Sequence, residues 1–238
     1  MAKNSWITFN LRDWFEHEKD GLKNDLFIYP KRRLLLSLIA VLILLFGIFE
    51  IWLMISAKTV LSLDIFIENL IKPFRNSLGY NFFFLITLLG SQYFVVGAGL
   101  LLTIPLFLKR RRKAAVTFFF TLLGTIILVI ILKHFFGRER PFGCPMGRDC
   151  FSFPSGHVSL AFYFYGIVTY LLARFIRIRK RYFLLWIFGI SSIVLLIAVS
   201  RIYLGFHFFS DIVGGFLLGG ISWLTAAILI DFLYTRYS

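Results

Sequence analysis

Three short polar islands interrupt a greasy sequence: Lys133 with Arg140-Pro141 seven residues on, then Pro154-Ser155-Gly156-His157, then Ser200-Arg201 followed by His207 and Asp211. Together they hold three cations, two histidines, serines and a carboxylate, the side chains that phosphoryl transfer needs. A phosphate ester carries charge on oxygens that preorganised cations and N–H groups must hold. Arg140 and Arg201 can grip such oxygens with paired N–H groups, whereas Lys133 offers a point charge. Snorkelling to lipid headgroups explains any one of these cations, but not three that each adjoin Ser, His or Pro. From Lys133 to Arg140 is about two helical turns if the helix continues, and Pro141 discourages it from going further.

Pro154-Ser155-Gly156-His157 opens an apolar run. A helix starting there presents free N–H groups and a positive dipole end, where an anion binds. Ser155 can donate its hydroxyl, Gly156 lets the backbone come close, and His157 can protonate a leaving oxygen. An ordinary helix cap is the plainer explanation of the same string. His207 and Asp211 are four apart, hence neighbours on one helical face. A carboxylate on one ring nitrogen sets the tautomer and leaves the other nitrogen to attack phosphorus. A structural His–Asp pair is the alternative. No further His, Cys or carboxylate accompanies the pair at ligand spacing, which disfavours a metal site. His17 and His134 are read as bystanders.

The elements that must position these groups are membrane helices. Hydrophobic residues make up 59% of the 238, aromatics 19%, and 30 are Phe. The ordinary apolar share is about 45–50%. Helical spans need roughly 20 apolar residues, and six segments qualify: 34–55, 82–108, 114–132, 158–173, 182–199 and 208–230. The first is too long for a signal-peptide core and is expected to be retained. Eighteen of the 26 Lys and Arg residues fall on one side of this arrangement, in residues 1–33, 109–113, 174–181 and the tail. The net charge of +14 is therefore a topology signal, with no nucleic acid implied. The positive-inside rule puts both termini in the cytoplasm and the motif loops outside.

Two segments read as interfacial amphipathic helices. One carries Ile7, Leu11, Trp14, Phe15 and Leu22 on a face, and the other Leu63, Phe66, Ile67, Leu70, Ile71 and Phe74, with Asp64, Glu68 and Lys72 opposite. Packing of the second against the protein's own helices is the competing expectation. Cys144 and Cys150 share the outward loop, so a local disulfide is expected in an oxidising compartment. Arg138 and Arg148 in that loop are candidates for extra phosphate or headgroup contacts, with solvated surface charge the favoured reading. Glu50 lies near the outer end of the first span and is expected to reach the interface. Gly214, Gly215, Gly219 and Gly220 predict close helix packing that holds Asp211 in place.

The three islands resemble, at every defining position, the motifs of the type 2 phosphatidic acid phosphatase (PAP2) superfamily, which includes vanadium-dependent haloperoxidases and bacterial acid phosphatases. The resemblance implies an all-α polytopic membrane protein with a haloperoxidase-like core bundle over 34–238, preceded by a cytoplasmic amphipathic segment at 1–33. It implies His207 as nucleophile, Asp211 as its partner and His157 as general acid. Lys133, Arg140, Ser155, Gly156 and Arg201 would bind phosphate, with no metal or cofactor required. The expected activity is hydrolysis of a lipid phosphate or pyrophosphate, of undecaprenyl, phosphatidylglycerophosphate, phosphatidate or lipid A type, at the outer face of a bacterial inner membrane. Lipid-to-lipid phosphotransfer and a non-catalytic membrane binding or transport protein are the alternatives.

Overall fold

The computed structural model of the protein describes residues 6–7, 38–39, 41–43, 45–47, 62–143, 150–176 and 178–235. Its helices are α1 (Ser62–Ile71), continued by a 3-10 turn (Lys72–Phe74), α2 (Ser77–Leu88), α3 (Gln92–Leu108), α4 (Arg112–Phe136), α5 (Gly156–Phe175), α6 (Lys180–Tyr203) and α7 (Phe209–Thr235). The described residues form an all-α fold apart from a two-residue antiparallel pairing of β1 (Trp6–Ile7) with β2 (Ile178–Arg179) and an isolated bridge between Glu139 and Phe151. Of the expected first span, residues 38–39, 41–43 and 45–47 are described, and all are helical. Glu50, Arg148, His17 and the amphipathic pattern beyond Ile7 lie outside the described residues.

Among the described residues, five stretches are long and apolar enough to cross a membrane: Ser77–Leu108, Arg112–Phe136, Gly156–Phe175, Lys180–Tyr203 and Phe209–Tyr234. The first corrects the expectation of one helix over 82–108. Ser91 takes extended backbone and its hydroxyl accepts the Phe94 N–H, which caps a new helix and divides α2 from α3. Gly90 permits the bend to press on α6, since a Cβ there would stand 2.7 Å from Ile197 Cγ2.

Helix α5 is the axis of the bundle. One side of it packs on α7 through the small residues of the latter. A Cβ on Gly215 would lie 3.0 Å from the Ser155 carbonyl oxygen, and one on Gly219 2.6 Å from that of Ser159. The expected close packing is thus present, and it carries the start of α7 onto the start of α5. The core around α5 comprises Phe118, Leu122, Tyr163, Phe164, Ile167, Ile197 and Ala226. Leucines and phenylalanines on the outer faces of α3, α4 and α6 are exposed, as a lipid-facing surface requires.

All the motif residues lie at one end of this bundle. Lys133 ends α4, Gly156 begins α5, Arg201 ends α6 and Asp211 begins α7. The basic connections at 109–112 and 178–181 are at the other ends of the same helices. Strand β1 pairs with β2 on that basic side.

Helix α1 combines parts of both expectations. Its acidic face turns inward: Asp64 is buried and Glu68 half-buried, while Leu63, Phe66, Leu70 and Phe74 are exposed. Only Ile67 and Ile71 pack inward, against Val158, Ala198, Ile202 and Ile212. A bilayer welcomes the apolar face, and ion pairs satisfy the acidic one.

Candidate active site

The end of α4 sets the first motif. Gly137 takes a left-handed conformation (φ 57°) and its N–H bonds the Lys133 carbonyl at 2.9 Å, closing the helix. The helix therefore stops before Arg140, and Gly137 terminates it where Pro141 was expected to act. The chain then runs extended, with Glu139 bridged to Phe151. This turns the Arg140 guanidinium back to the Phe206 carbonyl at 3.1 Å. The Lys133 ammonium is buried and bonds the Phe151 carbonyl.

Gly205 performs the reversal after α6 that brings His207 to Arg201. Its φ of +68° is left-handed, and a Cβ would lie 1.9 Å from the Phe142 ring. The Phe206 and His207 N–H groups both return to the Arg201 carbonyl, at 3.0 and 3.2 Å. Arg201 is 4% exposed, donates to Thr87 Oγ1 at 2.8 Å and lies over the Phe206 ring. Arg75 secures the same helix end by donating to the Ile202 and Tyr203 carbonyls at 2.9 and 2.7 Å.

His207 Nδ1 faces Asp211 Oδ2 at 3.4 Å, which leaves Nε2 as the free ring nitrogen. The same Oδ2 accepts the Phe208 N–H at 2.8 Å, so Asp211 also caps its own helix from the third position. The Ser155 N–H bonds the Asp211 carbonyl at 3.0 Å, joining the second motif to the third. Ser155 Oγ is fully buried and has no hydrogen-bond partner among the described residues. Gly156 is tight as well, a Cβ meeting Val129 at 3.2 Å.

Electrostatics confirm the convergence. Burial and the charges of Arg201, Arg140 and Lys133, in that order, push the His207 pKa well below its ordinary 6.5, opposed by a hydrogen bond with the Ser152 main chain. His207 is therefore a neutral imidazole at neutral pH. His157 lies in the field of the same three cations and of His207 itself. The eight motif residues thus form one cluster. His134 is exposed and outside it, its Nδ1 against the Ile130 carbonyl.

Three participants escaped the sequence. Arg138 is no surface charge: one guanidinium nitrogen meets Asp211 Oδ1 at 2.7 Å and Ser210 Oγ at 2.6 Å, the other meets Asp64 Oδ2 at 2.8 Å. Asp64 also accepts from the Ser210 N–H and hydroxyl at 2.8 and 2.7 Å. An acid placed mid-way along a hydrophobic stretch was the available signal, but its partner lies 74 positions away. Cys150 carries no free thiol, and Cys144, its expected partner, lies outside the described residues.

Fold and site define a polytopic helical membrane protein with a buried His–Asp pair ringed by cations. The chain belongs to the PAP2 superfamily, whose family model matches residues 114–234. Phosphatidylglycerophosphatase B of Bacillus subtilis is 36% identical over 89 residues, 37% of this chain and 44% of that relative's length. The crystal structure of a transmembrane PAP2-type phosphatidylglycerolphosphate phosphatase from the same organism superposes with a TM-score of 0.70 at 24% identity, covering 84% of this chain and 97% of that one. Aquifex aeolicus LpxE gives 0.51 at 26%, covering 70% and 95%.

Proposed function

We propose that the protein is a lipid phosphatase working through a phosphohistidine. The observation that carries this reading is the placement of His207 and His157 in the field of the same three cations, with Nε2 of His207 left free by Asp211. Lys133, Arg140 and Arg201 hold the phosphoryl oxygens, and the unpartnered Ser155 hydroxyl with the first N–H groups of α5 completes the cradle. Nε2 attacks phosphorus and the bond to the lipid oxygen breaks. Protonated His157 gives that oxygen its proton, and Asp211 stabilises the cationic ring that results. Water then attacks the phosphohistidine while His157 takes its proton, and phosphate leaves as the P–N bond breaks.

A lipid substrate is supported by the position of the site at one end of membrane-spanning helices, close to α1, whose Leu63, Phe66 and Leu70 side chains are exposed. The names of the Bacillus sequence relative and of the Bacillus crystal structure favour phosphatidylglycerophosphate. The positive-inside pattern supports an orientation with this end at the outer face of a bacterial inner membrane. The test is phosphate release by the purified protein, in chelator, from phosphatidylglycerophosphate, phosphatidate, undecaprenyl pyrophosphate and lipid A phosphates. Release from at least one lipid is expected, and its abolition by His207→Ala. Turnover that survives His207→Ala refutes the assigned nucleophile, and phosphate appearing on a second lipid instead of in water makes the enzyme a transferase.

A further inference from the structure

Among the described residues, Asp64 is the one carboxylate outside the motifs that meets Arg138, the partner of Asp211, and it comes from an element the family motifs do not include. It is 2% exposed although it belongs to a helix whose other face is open. It makes three charge-assisted contacts, to Arg138, the Ser210 N–H and the Ser210 hydroxyl. The Ser210 N–H belongs to the first turn of α7, where no intrahelical acceptor exists, so Asp64 caps the catalytic helix from a distant part of the chain. The Arg138 guanidinium is planar and lies between two carboxylates, Asp64 and Asp211.

This arrangement has an electrostatic consequence. Paired with Asp211 alone, Arg138 would cancel the negative charge that His207 needs when its ring becomes cationic. With Asp64 on the other nitrogen, the Arg138 charge is shared and the trio keeps one net negative charge beside His207. We propose that Asp64 is a positioning residue that holds Arg138 and Ser210 so that Asp211 stays oriented on His207 and remains an effective anion. The proposal rests on the phosphatase reading above.

Among the described residues, the titratable and charged groups around His207 are Lys133 from α4, Arg140 from the following loop, His157 from α5, Arg201 from α6 and Asp211 from α7, with Arg138 behind Asp211 and Asp64 behind Arg138. Removing either end of the Asp64–Arg138 link therefore changes the field on His207 with opposite sign. Asp64→Asn removes a negative charge and moves the acid limb of the pH–rate profile down. Arg138→Gln removes a positive charge and moves it up. In both, kcat falls about tenfold to a hundredfold, the range typical of groups that orient an active-site ligand from outside. KM stays within about twofold, as expected when only the transition state loses stabilisation.

Glu68→Gln is the control. It removes the carboxylate paired with Arg75 while Arg75 keeps its bonds to the Ile202 and Tyr203 carbonyls, and it leaves Arg138 and Ser210 untouched. Its kcat and acid limb are expected to match wild type. The proposal is overturned by wild-type kcat in Asp64→Asn, by acid limbs that shift in the same direction, or by an equal loss in Glu68→Gln. Should Asp64→Asn not purify as a monodisperse species, Arg138→Gln carries the test alone through its kcat loss and upward limb. Absence of turnover in the wild-type protein itself counts against the phosphatase reading, whereas full turnover in an active Asp64→Asn preparation counts against Asp64 only.

Discussion

The main-chain N–H of Ser155 bonds the main-chain carbonyl of Asp211 at 3.0 Å, so the helix that begins after Ser155 and the helix that carries Asp211 share a backbone contact at their origins. Glycines at 215 and 219 let the two helices meet below it at near-contact distance. The proposed phosphate-binding and nucleophilic halves of the site thereby meet through the backbone, and several outcomes follow from this geometry.

Ser155→Ala removes a buried hydroxyl that has no partner among the described residues. Folding stability should be unchanged or slightly raised, because no protein hydrogen bond is lost. A hydrogen bond to a charged group contributes about 1.5–3 kcal/mol, so kcat/KM should fall roughly tenfold to a hundredfold. Thermal melting in detergent alongside phosphate release separates the two effects, and a loss of both would place the Ser155 role in folding.

Hydrolysis should persist into mildly acid solution. The folded pKa of His207 is lowered below 6.5, so the folded state binds fewer protons than the unfolded one. Its contribution to stability is present above 6.5 and is lost as pH falls through that value toward the lower folded pKa. The acid limb of the pH–rate profile should lie below 6.5. Arg201 is the leading charge among the causes, so Arg201→Gln should move the limb upward at reduced turnover. An unchanged limb in that variant contradicts the account, since ionisation of the substrate is common to both profiles.

Gly205→Ala should cost about 1–2 kcal/mol from the left-handed backbone alone. The Phe142 ring that a Cβ would strike is 67% exposed and can swing aside. The double variant Gly205→Ala/Phe142→Ala should therefore melt no higher than Gly205→Ala. Recovery on truncating Phe142 would show that steric overlap, and not φ, demands the glycine.

At the opposite end of the bundle, the Tyr170 hydroxyl donates to Asp231 at 2.6 Å and Arg174 pairs with the same carboxylate at 3.1 Å. Tyr170→Phe leaves the carboxylate with one partner fewer and should lower stability by about 1.5–3 kcal/mol. Turnover per folded molecule should be unaffected. A selective loss of kcat would reveal coupling along α5 that static packing does not require.

Composition and local pattern determined the membrane helices, the end of the bundle that bears the motifs, and the identity of the eight residues that converge there. These depend on hydropathy over about 20 residues and on spacings within a turn or two, which are local quantities. Tertiary structure decided the rest. Arg138 read as surface charge because its partners, Asp64 and Asp211, are far away in the chain. Helix α1 read correctly as amphipathic, yet which face turned inward depended on a cation waiting for Asp64 and on lipid waiting for Phe66. The break at Gly90-Ser91 was hidden because both sides of it are uniformly apolar, and a cap registers only where hydropathy changes. An amphipathic pattern states that two faces differ; only the folded neighbours state which solvent each face meets.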